Sequence, residues 1–178
     1  MHSEYKNKAL FLDRDGVINH LVFRNNGFYS PRQLNDFKLY NDIEDLVNFF
    51  KAKQFYIIII SNQPDISRKK MTIEELNSID IFLKEKLHID EIYYSFESEV
   101  VNGGSKKPSP KMIFEARDKW SIDLSKSYFI GDSLVDLECA KNAKVPFILI
   151  RRKHNKDINY HNCIDSLNNI QKIISTVI

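Results

Sequence analysis

Asp13 and Asp15 stand two residues apart in "FLDRDGVIN" (residues 11–19), directly after an apolar run. Like charges this close raise each other's pKa unless a cation lies between them or one stays protonated. Two more polar clusters also follow apolar runs: Ser61-Asn62-Gln63 after "FYIIII", and Gly131-Asp132-Ser133, with Asp136 beyond it, after "SYFI". A hard divalent ion relieves such crowding, and Mg²⁺ suits a site with few protein ligands that also takes phosphate oxygens. For the first pair alone, a helix cap at Asp13 and a plain turn at Asp15-Gly16 is the alternative.

"GGSKKPSPKM" (103–112) places Lys106 and Lys107 before a helix start marked by Pro108 and Pro110. Lys106-Lys107 reads either as a solvated charge pair or, if delivered to the same rim as Asp13, as a neutraliser of phosphate oxygens. Arg68 in "SRKK" carries the same two readings.

Residues of this kind need a scaffold that brings distant segments to one rim. Five short runs read as strands, "KALFLD" (8–13), "FYIIIIS" (55–61), "EIYYSF" (91–96), "KSYFIG" (126–131) and "PFILIR" (146–151). Runs apolar on both faces belong inside a parallel sheet covered by helices. Ile43, Leu46, Val47 and Phe50 repeat at helical spacing, as do Leu76, Ile79 and Leu83, then Ile113, Ala116 and Trp120; Leu167, Ile170, Ile174 and Val177 predict a last helix. "HNKDINYHN" (154–162) reads as a polar surface connection. The fold class expected is α/β, a doubly wound, Rossmann-like, mostly parallel sheet of about five strands in one domain over 1–178. Ligands in such sheets bind at the carboxyl ends of the strands, where the acids and Ser61 fall. Alternation along the first strand would send Asp13 and Asp15 one way and Arg14 aside.

With 26 basic and 24 acidic residues in 178, the formal charge of +2 offers no nucleic-acid track and no polybasic membrane anchor. The apolar runs are too short to span a bilayer and "MHSEYKNKAL" lacks a secretory core, so a cytoplasmic protein is expected. Cys139 and Cys163 are not spaced as a metal pair and read as reduced structural thiols.

Taken together, "DRDG", Ser61, Lys107 and "GDSLVD" resemble, in order and spacing over residues 8–151, the four motifs of the haloacid dehalogenase superfamily. "LDRDGVIN", "SNQPDISRKKMT" and "KKPSPKM" resemble its small capless branch, which contains heptose-bisphosphate and histidinol-phosphate phosphatases and shows strings such as DRDGxIN, TNQSGIxRG and RKPxPGM. The resemblance implies a Mg²⁺-dependent phosphatase in which Asp13 is the nucleophile and Asp15 the general acid and base. It implies Mg²⁺ on the Asp13 side chain, the Asp15 carbonyl and Asp132, with Asp136 supporting the metal or the lysine. Ser61, helped by Asn62, would hold a phosphoryl oxygen while Lys107 balances charge. The expected partner is a small phosphorylated sugar, a heptose bisphosphate of surface polysaccharide assembly before histidinol phosphate, acted on by a monomer. A catalytically silent sugar-phosphate binder is the reading from another class.

The chain departs from that branch in places. "SFESEVVNGGSKK" has neither Cys nor His, so the branch's structural zinc is not expected; Ser-Gly has become Pro64-Asp65, and Lys106 and Lys111 replace Arg and Gly. Without room for a cap, recognition falls to the loops, with Ser61, Asn62, Gln63, Arg68, Lys106 and Lys107 as candidate substrate contacts. None of the five histidines is read as lying beside the acids, and Phe23, Phe28 and Tyr29 either wall the site or simply pack.

Overall fold

The computed structural model describes residues 5–170. In chain order, β1 (Lys8–Leu12) leads to a hairpin of β2 (Val22–Arg24) and β3 (Gly27–Tyr29), then α1 (Ile43–Ala52) and β4 (Phe55–Asn62). A short α2 (Pro64–Ser67) precedes α3 (Ile73–Lys86) and β5 (Glu91–Ser95). The chain continues with α4 (Lys111–Trp120), β6 (Tyr128–Gly131), α5 (Leu134–Ala143), β7 (Phe147–Ile150) and β8 (Cys163–Ile164).

Six strands form one sheet in the order β5-β4-β1-β6-β7-β8, with each neighbouring pair parallel. The apolar runs explain this sheet. Leu10, Leu12, Ile57 and Ile59 face α1 and α3, while Ala9, Phe11, Ile58 and Ile60 face α4 and α5, so successive residues of the two central strands β1 and β4 enter opposite cores. Burying each such isoleucine contributes about 1.5–3 kcal/mol. Helix starts are fixed locally: Thr72 and Glu75 form a reciprocal capping box on α3, and Ser133 and Asp136 form one on α5.

Two elements were not expected. The sheet has a sixth strand, β8, of two residues in a polar stretch that offers no hydrophobic alternation. "VFRNNGFY", which is not among the five runs read as strands, is a hairpin, because Asn25 and Asn26 both adopt positive φ (48° and 58°), the conformation a tight two-residue turn requires. Of the expected last helix, Leu167 and Ile170 are buried beside a 3-10 turn at Leu167–Asn169, whereas Ile174 and Val177 lie outside the described residues. Between β1 and α1 the chain holds the hairpin and a 3-10 turn, and between β5 and α4 a loop without helix or strand, so no cap domain occurs at either point. No helix among the described residues is long and apolar enough to cross a membrane.

Strand order reverses at β1, which sends the chain outward first through β4 and later through β6. The carboxyl ends of β1, β4 and β6 therefore open one crevice.

Candidate active site

Asp13 follows β1 and donates its backbone N–H to the Ile130 carbonyl of β6 (3.0 Å), which ties the first acid to the strand that delivers Asp132. Ser61 and Asn62 end β4, and Asp132 follows β6 directly. Lys107 is brought in by Asn62, whose Oδ1 accepts from the Lys107 N–H (2.9 Å) while its Nδ2 donates to the Lys107 carbonyl (3.2 Å). The buried ammonium then donates to Asp13 Oδ1 (2.8 Å), Asp136 Oδ1 (2.6 Å) and the Ile60 carbonyl (3.0 Å). Asp136 is held from its other oxygen by Ser133 Oγ (2.5 Å), so the cap of α5 also aims the acid at the lysine.

Asp15 has a separate set of partners. Arg14, read as turned aside, is fully buried and grips Asp15 with Nε (3.2 Å) and Nη2 (3.0 Å). Strict alternation fails because the chain leaves the strand at Leu12. Asn19 Nδ2 (2.9 Å) and Gln63 Nε2 (2.7 Å) complete the shell around Asp15. Burial alone would raise the Asp15 pKa, but the Arg14 guanidinium and these hydrogen bonds outweigh it and hold the carboxyl below its ordinary value. Asp13 goes the other way: burial, with the Asp136, Asp132 and Asp15 carboxylates, pushes it well above its ordinary value against the pull of Lys107. Burial likewise raises Asp132, opposed by His154. Burial would lower Lys107, yet Asp13 and Asp136 hold it above the usual lysine value.

Carboxylate oxygens of Asp13, Asp132 and Asp136 lie within 4.8 Å of one another. Four buried acids, these three and Asp15, face two buried cations, Arg14 and Lys107. The deficit of two positive charges and the all-oxygen donor set fit a hard divalent ion. Both oxygens of Asp136 already have partners, so Asp13 and Asp132 are the better-placed side-chain ligands. Gly16 makes this possible: at φ +93°, a Cβ there would lie 1.8 Å from Asp132 Oδ2.

The segment after β7, whose residues 154–162 read as a surface connection, contributes three contacts that the sequence did not disclose. His154 Nε2 lies 2.6 Å from Asp132 Oδ2, Asn155 Nδ2 donates to the Asp132 carbonyl (2.7 Å), and Arg152 Nε donates to the Gly16 carbonyl (2.9 Å). The signal was position, since "RRKHN" follows a strand end, but its polar composition reads as solvent-facing.

The cleft has a volume of about 400 Å³ and is lined by Asp13, Asp15, Ser61, Lys107, Asp132 and Arg68, among others, with Phe28 and Tyr29 on its wall. Asn62 and Gln63 line it too, but their amides serve Lys107 and the Asp15–Ser61 pair rather than standing free for substrate. Lys106 donates to the Ser98 carbonyl (2.5 Å) and does not line the cleft, and Phe23 also lies off it. Arg68 reaches the same Ser98 carbonyl (3.2 Å) from the rim. The departure at Asp65 has a local use, an ion pair with Arg32 (2.7 Å) that ties the segment after the hairpin to α2. In the 97–106 loop, Glu97 accepts from Ser105 N (2.9 Å) and Lys106 N (3.2 Å), so a carboxylate organises this turn.

Known proteins resemble the chain in sequence and in fold. The sequence pattern of the haloacid dehalogenase-like hydrolases matches residues 25–150. The chain belongs to that family. It falls among the family's phosphatases: it is 33% identical over 145 residues to D-glycero-beta-D-manno-heptose-1,7-bisphosphate 7-phosphatase of Helicobacter pylori (strain ATCC 700392 / 26695), covering 78% of this chain and 80% of the relative. It is 31% identical over 173 residues to D-glycero-alpha-D-manno-heptose-1,7-bisphosphate 7-phosphatase of Campylobacter jejuni, covering 93% and 94%. The solved D,D-heptose 1.7-bisphosphate phosphatase from B. bronchiseptica, complexed with magnesium and phosphate, shares the fold at a TM-score of 0.79 and 19% identity, over 96% of this chain and 99% of that one. Haloacid dehalogenase phosphatases use Mg²⁺, and the acid cluster here suits such an ion.

Proposed function

We propose that the protein is a Mg²⁺-dependent phosphomonoesterase that removes the 7-phosphate of D-glycero-D-manno-heptose 1,7-bisphosphate through an aspartyl-phosphate. The observation that carries this reading is the Lys107 ammonium bridging Asp13 and Asp136 at the end of β1, with Asp132 beside them. The names of the relatives support the substrate, and their two anomers leave both forms to be tested.

In the first half, an Asp13 oxygen attacks phosphorus, a P–O bond forms, and the ester P–O bond breaks as Asp15 gives a proton to the departing alkoxide. Asp15 must leave Arg14 to receive and deliver that proton, because their pairing favours the carboxylate. In the second half, water attacks the same phosphorus, the ionised Asp15 accepts its proton, and inorganic phosphate leaves with Asp13 restored. Ser61 Oγ and the Lys107 ammonium stabilise the phosphoryl oxygens, and Lys107 remains aligned by Asn62. Asp13, the Asp15 carbonyl and Asp132 would hold Mg²⁺, which when bound lets an anionic nucleophile approach an anionic phosphate.

The test is phosphate release with Mg²⁺ from both anomers of heptose 1,7-bisphosphate, histidinol phosphate and simple sugar phosphates, with Asp13→Asn as control. Strong preference for one heptose bisphosphate is expected. Preference for histidinol phosphate would overturn the substrate, and no release from any ester would favour a silent binder.

A further inference from the structure

A second cavity of about 640 Å³ adjoins the catalytic cleft and shares Leu21, Phe28 and His154 with it. Its charge is the reverse of the cleft's. Arg151, Arg152, Lys153 and Lys156 line it against one carboxylate, Asp165. Such an excess is notable in a chain whose 26 basic and 24 acidic residues are nearly balanced.

Of the four cations, Arg152 feels the Asp42 and Asp132 carboxylates nearby. Arg151 Nη1 donates to the carbonyls of Lys156 and Ile158, both at 3.0 Å, which shapes the loop without cancelling charge. Arg152 donates from Nε to the Gly16 carbonyl and lays its guanidinium over the Tyr40 ring at 3.6 Å, while its Nη2 is buried with no hydrogen-bond partner. Among the described residues, neither Lys153 nor Lys156 has a carboxylate partner. Nearby acids are otherwise engaged: Asp42 Oδ2 accepts from Ser166 Oγ (2.7 Å) and Leu167 N–H (2.9 Å), and Asp132 faces His154. Burial, and then Arg152 and Lys38, push the pKa of His20 on the cavity wall below its ordinary value, as a positive surrounding should.

A cavity lined by four cations and one carboxylate is short of negative charge, and phosphate oxygens are the acceptors that guanidinium and ammonium donors match best. We propose that this cavity is a second anion site that takes a phosphate group carried on a small molecule. Two sources share that chemistry: the distal phosphate of a bisphosphate ester lying in the cleft, or a separate phosphate-bearing molecule. The site itself does not depend on the activity proposed above; only the choice between sources rests on it.

Metal-free protein isolates the site, because without a divalent ion the four acids of the catalytic cleft outnumber Arg14 and Lys107 and repel phosphate. Orthophosphate titrated by calorimetry into protein held in chelator should bind at one site, and a Lys153→Gln/Lys156→Gln variant should weaken that binding about tenfold or more. Both lysines are exposed, so an unchanged thermal midpoint is the check on folding. No saturable binding at millimolar phosphate, or equal affinity in the variant, would overturn the proposal. With Mg²⁺ restored, a KM raised about fivefold or more for the heptose bisphosphate, against an unmoved KM for an aryl monophosphate, identifies the distal phosphate as the occupant. If both KM values hold while orthophosphate binding is weakened, the occupant is a separate molecule. Failure of every ester to react would remove the proposed activity and leave the orthophosphate result standing.

Discussion

The cleft has two halves, each built around one buried cation, and they treat an aspartate in opposite ways. Around Lys107, three carboxylates crowd together, and Asp13 and Asp132 are pushed up toward protonation. Around Arg14, a single carboxylate receives donors from Arg14, Asn19 and Gln63 and is pushed down. The lysine half is short of positive charge; the arginine half is locally balanced, with Asp15 at its edge on the cleft. Two aspartates two residues apart thus acquire different chemistry from partners that different segments of the chain deliver.

Single substitutions in each half should separate chemistry from stability. Asp13→Asn should lower turnover of an aryl phosphate by about 10⁴-fold or more, with urea unfolding little changed; near-normal turnover would refute the covalent route. Arg14→Met should act on the fold instead, lowering unfolding free energy by about 3–5 kcal/mol because it strands the buried Asp15. A loss under about 1 kcal/mol in urea titrations would erase the contrast between the halves. His154→Ala should weaken Mg²⁺ binding, read by calorimetry without substrate, about 10- to 100-fold, and His154→Gln, which keeps a donor, should recover much of it. Asn62→Ala removes the two hydrogen bonds that align the Lys107 backbone and should cost about 1–2 kcal/mol in urea unfolding, the smallest of these effects.

The sheet was legible because "FYIIII" and its counterparts are apolar on both faces, a pattern that few other environments accommodate. Asp13, Ser61 and Asp132 could be placed on one rim because each stands at or directly after a strand end, whereas Lys107, in the loop before α4, was placed there only by the family resemblance. The roles of Arg14 and His154 were not legible. Arg14 lies past the end of β1, where alternation no longer sets direction, and its burial depends on Asp15, Phe37 and Tyr94 closing around it. His154 sits in a polar run whose composition signals solvent, and only the parallel placement of β7 beside β6 carries it to Asp132. The hairpin's Asn25-Asn26-Gly27 turn signal was present in the sequence, but three-residue strands are too short for alternation to announce them.

Among the described residues, a hairpin, short loops and two helix starts surround the cleft and no cap covers it, so its contents stay in exchange with the bulk medium. An acyl phosphate on Asp13 would then meet any hydroxyl compound dissolved there, and water would prevail by abundance rather than by selection. Glycerol or methanol at high concentration should divert part of the flux into new phosphate esters, making the enzyme a transferase whose acceptor is chosen by the solvent.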